Sequence, residues 1–200
     1  MLNITLNTRL FITVRKIIFP PKYIEKMVPE EAKIIDIGCG HGVLAYFLAS
    51  KGRKRSVTGL DPSAQKISVA KKYFPKLKNL NYRKGFAKNI RGRYDVVIIM
   101  DVLYLLPAGE KKNILKIIKK LISKKGFLIL KETEPNSFLR FEEYLATKLF
   151  KFTYTSHNKT YLSGSSETKK LLKESGFKIV STKRIRRLAV YNHYIFKAAV

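Results

Sequence analysis

The residues best suited to chemistry stand together in a short run, DIGCGHG, at positions 36–42. The run follows an apolar stretch typical of a buried strand and precedes a stretch with helical spacing. Its glycines, Gly38, Gly40 and Gly42, let a backbone turn tightly and approach a ligand closely. A helix that begins there adds unbonded N–H groups and a positive dipole end. The run therefore predicts a loop that binds a ligand, and the alternative is a simple turn into the helix.

Two phosphate-binding loop types are excluded by the sequence around this run. A dinucleotide loop needs GxGxxG, and Val43 stands where its third glycine belongs. A Walker loop ends in Gly-Lys-Ser/Thr, which does not occur here. Asp61 ends the next strand-like run, 19 residues after Gly42, where a carboxylate can accept two hydrogen bonds from a ribose diol. Strand, glycine turn, helix and acid in this order favour a ligand that contains a ribose over a simple turn.

Strand-like and helix-like segments alternate along the chain. Apolar runs typical of buried strands are followed by stretches with apolar residues every three or four positions. The strand segments are 33–38, 56–61, 81–85, 95–101, 127–132, 178–185 and 191–200, and the helical ones are 44–51, 63–74, 110–126 and 166–177. Such alternation predicts crossover connections and a mainly parallel sheet. A short polar connection joins the last two strands, which suits an antiparallel pair.

Several of these segments together resemble the class I S-adenosylmethionine-dependent methyltransferase family, over about residues 30–132. DIGCGHG resembles the family's first motif, and LDPS at 60–63 resembles its second. YDVVIIMDVLYLLP at 94–107 resembles the fourth-strand motif, and GFLILKE at 126–132 resembles the fifth strand. The resemblance implies an α/β, Rossmann-like, doubly wound fold with a mainly parallel seven-stranded sheet and an antiparallel last strand. It also implies an enzyme that uses S-adenosyl-L-methionine as its methyl donor.

The resemblance further implies a role for individual residues. Gly38, Gly40 and Gly42 are expected along the methionine and ribose portions of the cofactor, and Asp61 on the ribose hydroxyls. Asp101 to Tyr104 are expected near the methionine end. Asp36 stands where the family keeps an acid that orders the loop or binds the amino group of the cofactor. These positions define the expected cofactor site.

One stretch departs from the family pattern. After the third strand the family often carries Gly-Asp-Ala, whose acid accepts a hydrogen bond from the adenine amino group, but this chain has Gly85, Phe86 and Ala87. We expect Phe86 to stack on adenine or pack beside it, while a backbone carbonyl or Asn89 accepts from the amino group. The alternative is that Phe86 is a core residue.

Three residues are candidates for catalysis. Methyl transfer from a sulfonium chiefly needs an in-line nucleophile held close, and a general base helps when the acceptor is a hydroxyl. Glu132, beside Lys131, ends the fifth strand at the edge where open α/β sheets bind ligands. His157 can deprotonate an acceptor near neutral pH, and Tyr104 can wall an aromatic one. The alternatives are solvated loop positions for Glu132 and His157 and ordinary packing for Tyr104. No His/Cys cluster has metal-ligand spacing, so no metal is expected.

Charge is the most unusual compositional feature. The 41 Lys and Arg residues against 14 Asp and Glu give a formal net charge of +27, which favours nucleic acid, an anionic membrane surface or an acidic substrate. The alternative is a general lysine excess on solvated helix faces. The single cysteine, Cys39, excludes an intrachain disulfide, no apolar run approaches about 18 residues, and the start lacks a signal-peptide pattern. We expect a cytoplasmic protein, with peripheral membrane association as an open alternative.

Two segments outside the alternating pattern are expected to determine the acceptor. Residues 1–30 form an N-terminal helical or cap segment, whose basic and apolar stretch at 10–23 suits either a membrane interface or the cover of an active site. Residues 31–200 form the methyltransferase domain, with a lid-like insertion at 133–165 that carries Tyr144, Tyr154 and Tyr161.

These segments favour a small-molecule acceptor, apolar or lipid-like. An RNA methyltransferase is the alternative enzyme, with nucleic acid less favoured because no Asn-Pro-Pro-Tyr-like motif follows the fourth strand. A non-catalytic protein that binds S-adenosylmethionine is the alternative from another class, since a fold does not fix a function.

Overall fold

The computed structural model describes residues 9, 12, 13, 21–134, 161, 163–187 and 191–200. Its helices are α1 (Lys22–Glu25), α2 (Val43–Lys51), α3 (Ala64–Tyr73), α4 (Ala108–Leu121) and α5 (Ser165–Glu174). Its strands are β1 (Ala32–Ile37), β2 (Arg55–Asp61), β3 (Leu80–Lys84), β4 (Tyr94–Met100), β5 (Ile122–Thr133), β6 (Lys178–Arg187) and β7 (Tyr191–Ala199). Two short 3-10 turns, Ala87–Asn89 and Leu103–Leu105, follow β3 and β4.

The described strands form one seven-stranded sheet in the order β3-β2-β1-β4-β5-β7-β6. Neighbouring strands from β3 to β5 are parallel, and β7 is antiparallel to both β5 and β6. The predicted Rossmann-like, mainly parallel sheet with an antiparallel last strand is confirmed. The order reverses between β1 and β4, which makes a crevice at their carboxyl ends and a place for a ligand.

Both faces of the sheet are buried, as the continuous apolar runs of its central strands predict. Ile35 and Val97 face a core that α4 and α5 close, whereas Ile34 and Val96 face a core that α1, α2 and α3 close. All four side chains are fully buried. Because successive side chains of a strand point to opposite faces, these strands tolerate no charged position along their middle.

One predicted boundary is wrong. The pattern at 110–126 predicts a helix that ends at Gly126, but α4 ends at Leu121 and β5 begins at Ile122. Ile122 is buried and pairs with Tyr94 of β4. A Cβ on Gly126 would lie 2.8 Å from the carbonyl oxygen of Tyr94 and 2.9 Å from that of Asp95. The glycine therefore permits the close approach of two strands and does not end a helix.

The two unusual segments are described only in part. Thr133 belongs to β5 and Ser165 to α5, so the segment between these two elements is 134–164; the lid-like insertion predicted at 133–165 stays a prediction. Within it the structure describes Glu134, Tyr161, Ser163 and Gly164; Tyr144, Tyr154 and His157 lie outside the described residues. In the part of the chain that the structure describes, no helix is long and apolar enough to cross a membrane.

Candidate active site

A cavity of about 580 Å³ opens at the carboxyl ends of β1, β2 and β4. It lies at the reversal of strand order, where open α/β sheets bind ligands. It is lined by the glycine run, the end of β2, the turn after β3 and the residues that follow β4. The lining residues used below are Ile12, Asp36, Gly38, Gly40, His41, Asp61, Lys66, Phe86, Met100, Asp101, Val102, Tyr104, Leu105, Leu106 and Ile114.

The glycine run needs its glycines for backbone conformation and for space. Gly38, Gly40 and Gly42 have φ angles of 78°, 55° and 79°, a region that other L-residues rarely adopt. A Cβ on Gly38 would collide with Cγ2 of Val102, and one on Gly42 would lie 2.6 Å from the Tyr82 ring. The Tyr82 hydroxyl donates to the carbonyl oxygen of Gly42 at 2.9 Å. The loop is therefore packed tightly from two sides.

Asp61 ties this loop to the end of β2. Its Oδ2 accepts from the Gly40 N–H at 3.0 Å, and its Oδ1 accepts from the Ser63 N–H at 2.9 Å. The residue is 5% exposed and lines the cavity. A carboxylate has about four acceptor positions, so these two backbone bonds leave capacity for a ribose diol. The structure adds a loop-ordering role that the sequence did not predict for Asp61.

The cavity is locally acidic in a strongly basic protein. Of the four aspartates in the sequence, Asp36, Asp61 and Asp101 line it. Lys66 is the single Lys or Arg among the described lining residues, although the chain carries a net charge of +27. Asp101 is paired with Lys131, so Asp36 and Asp61 supply the negative charge, which attracts a small cation more than a phosphate.

Two further residues of the glycine run, Cys39 and His41, also line the cavity. Burial, and after it the nearby carboxylate of Asp36, raise the pKa of the Cys39 thiol well above its usual value, so it is not an activated nucleophile. His41 lines the cavity and is 9% exposed. Asp36 itself is 2% exposed and lines the cavity at the root of the loop.

Phe86 stands at the mouth of the cavity. Its side chain is 58% exposed, so the alternative that it is a core residue is excluded. Lys88 lies with its Nζ 5.9 Å from the centre of the Phe86 ring, and the Asn89 N–H donates to the carbonyl oxygen of Phe86. The Asn89 side chain is not among the lining residues. An exposed ring beside a ligand cavity offers a stacking surface.

The turn after β4 is held by two successive residues of β5. The Asp101 N–H donates to the carbonyl oxygen of Lys131 at 3.0 Å, and Lys131 Nζ lies 2.6 and 2.8 Å from the two carboxylate oxygens of Asp101. The Leu103 N–H donates to Glu132 Oε1 at 3.2 Å. Tyr104, which follows, lines the cavity and is 9% exposed.

Glu132, a predicted catalytic residue, lies behind the cavity wall. It is 5% exposed and is not among the lining residues. Burial, with a smaller effect of Asp101, raises its pKa to about 8. Its catalytic role stays a prediction, as does that of Tyr104; His157 lies outside the described residues. No group of three or more His, Cys, Asp or Glu side chains in the described part of the chain can hold a metal ion.

Lys111 of α4 is a site residue that the sequence did not predict. Its Nζ donates to the carbonyl oxygen of Tyr161 and, at 2.8 Å, to Ser163 Oγ. The Tyr161 N–H donates to the carbonyl oxygen of Tyr104 at 2.6 Å. These bonds fix the end of the 134–164 segment beside the turn that lines the cavity. Nothing local to Lys111 signals this contact, because its partners lie about fifty residues away.

The fold and cavity define a Rossmann-like protein with a glycine-rich loop at the crevice of the sheet. A family profile described as "Methyltransferase domain" matches residues 15–182. The chain therefore belongs to this methyltransferase family, and the resemblance to class I S-adenosylmethionine-dependent methyltransferases is confirmed.

Relatives and solved structures agree with this assignment. The chain is 26% identical over 173 residues to a ubiquinone biosynthesis O-methyltransferase of Acinetobacter baylyi, covering 81% of this chain and 70% of that one. Its identity to the Nitrosomonas europaea protein of the same description is 30% over 126 residues, or 58% of this chain and about half (52%) of that one. The structure of magnesium protoporphyrin IX methyltransferase from Synechocystis PCC 6803 with bound SAH matches with a TM-score of 0.70 at 19% sequence identity. The match covers 98% of this chain and 88% of that one.

Proposed function

We propose that this methyltransferase binds S-adenosylmethionine in the cavity and transfers its methyl group to a small, apolar or lipid-like acceptor. One observation carries the proposal: one cavity is lined by Asp36 and Asp61 beside the glycine loop and also by many apolar side chains. We assign the part beside the glycine loop, called the acidic end, to the cofactor and the rest to the acceptor. The sulfonium supplies the electrophilic methyl carbon when the cofactor is bound. The chain's own work is to bind, to orient and to exclude water, which can supply much of the rate enhancement.

The acidic end suits the cofactor. Asp61 offers acceptors for the ribose hydroxyls, and the glycine loop lets the backbone approach the methionine portion. Phe86 offers its exposed ring to the adenine. Asp36 adds negative charge where a cofactor with a sulfonium and an ammonium group would lie. The same charge disfavours the phosphates of a dinucleotide.

The other end suits an uncharged acceptor. We assign to it the lining residues Ile12, Leu105, Leu106 and Ile114, with the Tyr104 hydroxyl as its polar group. No Lys or Arg among the described residues lines this end, although an RNA substrate needs cations for its phosphates. The relatives named for ubiquinone biosynthesis also support an apolar acceptor over RNA.

We propose that the segment 134–164 covers this end as a lid. Its first residue is fixed by the Glu134 N–H, which donates to the carbonyl oxygen of Asn192 at 2.8 Å. Its other end is fixed by Lys111 and Tyr104 through Tyr161. The second anchor includes Tyr104, which lines the cavity, and this supports the proposed position of the lid.

The N-terminal segment is the second cover. Ile12 is fully buried and lines the cavity, which supports a capping role over insertion into a membrane interface. We propose a cap for residues 1–30. Peripheral membrane association then depends on the net charge alone and not on this segment. Sedimentation with anionic vesicles tests this: deletion of residues 1–19 should leave any binding intact, whereas its loss would favour an interfacial segment.

Transfer and cofactor binding are tested together. Labelled S-adenosylmethionine is offered with a panel of apolar phenols and quinols, and with RNA in parallel. We expect label in the small molecules and none in RNA. Replacing residues 137–158 by a short Gly–Ser linker should abolish transfer but keep the Kd for S-adenosylhomocysteine within about threefold, because the loop and Asp61 lie elsewhere. Label in RNA alone, or affinity for NAD without affinity for S-adenosylhomocysteine, would overturn the proposal. Cofactor affinity without transfer to any acceptor would favour a non-catalytic binding protein.

A further inference from the structure

Asp101 has a backbone conformation that its residue type disfavours. Its φ is +56°, and it is the single non-glycine residue with positive φ in the described part of the chain. An L-residue in the left-handed region is strained by contact between its Cβ and its own backbone. Such conformations persist when surrounding contacts enforce them, and they cluster at functional sites. Asp101 lies directly after β4 and lines the cavity.

Lys131 supplies the enforcing contacts. Its Nζ reaches both carboxylate oxygens of Asp101, at 2.6 and 2.8 Å, and also donates to Thr133 Oγ1 at 2.9 Å. Its carbonyl oxygen accepts from the Asp101 N–H at 3.0 Å. One residue therefore holds Asp101 by main chain and side chain together. Lys131 is 1% exposed and is not among the lining residues, so it acts on the cavity through Asp101.

The conformation of Asp101 decides where the next residues lie. Val102 packs so closely on Gly38 that a single added methyl group on the glycine would collide with it. Glu132, on the opposite side of β5 from Lys131, accepts from the Leu103 N–H. Lys131 and Glu132, two successive residues of β5, therefore both bond to the turn from Asp101 to Leu103, and this turn packs against the glycine loop.

We propose that Lys131 is a positioning residue for the cofactor end of the cavity. By pairing with Asp101 it keeps that residue left-handed, which keeps Val102 against Gly38 and so fixes the width of the cleft beside the glycine loop. This role rests on the proposed cofactor site. It assigns Asp101 a conformational function, because the ion pair with Lys131 neutralises its carboxylate and Thr133 Oγ1 donates a third hydrogen bond to it at 3.2 Å.

The test separates conformation from charge with two variants at one position. Asp101→Gly and Asp101→Ala both remove the carboxylate and leave Lys131 without its anion, but only alanine bears the strain of positive φ. Titration calorimetry with S-adenosylhomocysteine is the measurement. We expect Asp101→Gly to bind within about threefold of wild type and Asp101→Ala to bind about tenfold more weakly.

The lysine itself is tested in both backgrounds. Lys131→Met should weaken binding by about tenfold in the wild-type chain, because Asp101 loses its ion pair and keeps only the main-chain bond and the bond from Thr133, and should cause little further loss in Asp101→Gly. If burial of a lone charge prevents a single variant from folding, the double variants Asp101→Gly/Lys131→Met and Asp101→Ala/Lys131→Met carry the same comparison without that charge.

A buried cation elsewhere is the matched control. Arg55 is 4% exposed, pairs with Glu25 at 3.1 Å and does not line the cavity. Arg55→Met should lower the melting temperature and leave the Kd within about twofold, because its site is remote.

Two results would overturn the proposal. Equal and strong losses in the glycine and alanine variants would mean that the carboxylate itself binds the ligand. Unchanged affinity in all Asp101 and Lys131 variants, with only lower melting temperatures, would mean that the pair merely stabilises the fold. Absence of S-adenosylhomocysteine binding by the wild-type chain would instead refute the proposed cofactor site.

Discussion

Replacement of Asp61 by alanine removes two backbone hydrogen bonds and the proposed contact with the ribose. The Gly40 and Ser63 N–H groups lose their acceptor, at 3.0 and 2.9 Å in the native chain, and the proposed ribose loses a charged acceptor pair. A hydrogen bond to a charged group contributes about 1.5–3 kcal/mol. Since about 1.4 kcal/mol corresponds to tenfold in affinity, loss of the ribose contact alone weakens binding by about 10- to 150-fold.

The two backbone contacts make a separate contribution to stability. Two lost hydrogen bonds to a charged group, of about 1.5 kcal/mol each, lower the melting temperature of a domain of this size by about 6–12 °C. Asp61→Asn keeps one neutral acceptor oxygen. We therefore expect it to weaken binding about tenfold and to lower the melting temperature less than alanine does. Titration calorimetry with S-adenosylhomocysteine, run well below the melting temperature, measures the first effect, and thermal unfolding measures the second.

Asp95 is a matched control on the same protein. Its carboxylate also makes two hydrogen bonds, from the Lys33 N–H at 2.9 Å and from Ser123 Oγ at 3.0 Å. It is exposed and does not line the cavity. Asp95→Ala should leave the Kd within about twofold of wild type. The reasoning is refuted if Asp61→Ala stays folded and binds as tightly as wild type, or if Asp95→Ala weakens binding equally.

Three further predictions follow from single contacts. Gly38→Ala should reduce affinity for S-adenosylhomocysteine more than Gly40→Ala, because a Cβ at 38 meets Val102 whereas one at 40 meets nothing within 4 Å; calorimetry giving equal losses would contradict this. Phe86→Ala should weaken S-adenosylhomocysteine by about 0.5–1.5 kcal/mol without lowering the melting temperature, since the ring is 58% exposed. The pKa of Glu132 is raised from 4.5 to about 8, so between these pH values the folded chain keeps a proton that the unfolded chain has lost, and stability falls as pH rises. Glu132→Gln should lack that part of the fall in the free energy of unfolding, which urea unfolding at several pH values measures. Parallel pH profiles of this free energy for variant and wild type would refute the prediction.

The glycine loop and Asp61 could be predicted from the sequence because the residues that define them lie close together along the chain. Gly38 and Gly42 were predicted as loop glycines, and both have positive φ and no space for a side chain. Asp61 was predicted from its place at the end of the second strand, and it lies in the cavity beside that loop. The alternation of buried strands and helices also specified the parallel sheet, since strands buried on both faces must be continuously apolar.

The end of α4 shows where local pattern fails. Apolar spacing continued past Leu121, and Gly126 resembled a helix stop, but the glycine is required by carbonyl oxygens of Tyr94 and Asp95 on a neighbouring strand. No signal near Gly126 in sequence reports those atoms. The ion pair between Lys131 and Asp101 also joins residues thirty positions apart, so no local pattern predicts it.

What the sequence by itself determined is therefore the class of fold, the glycine loop and the acid that faces it. What only the tertiary structure decided is the insertion of β7 between β5 and β6, the entry of Ile12 into the cavity, and the contacts of Lys131 and Lys111. The physical reason is that residue periodicity reports which face of an element is buried, whereas the partner on that face depends on packing between elements distant in sequence. Residues at the far ends of strands thus become site residues only when the sheet is assembled.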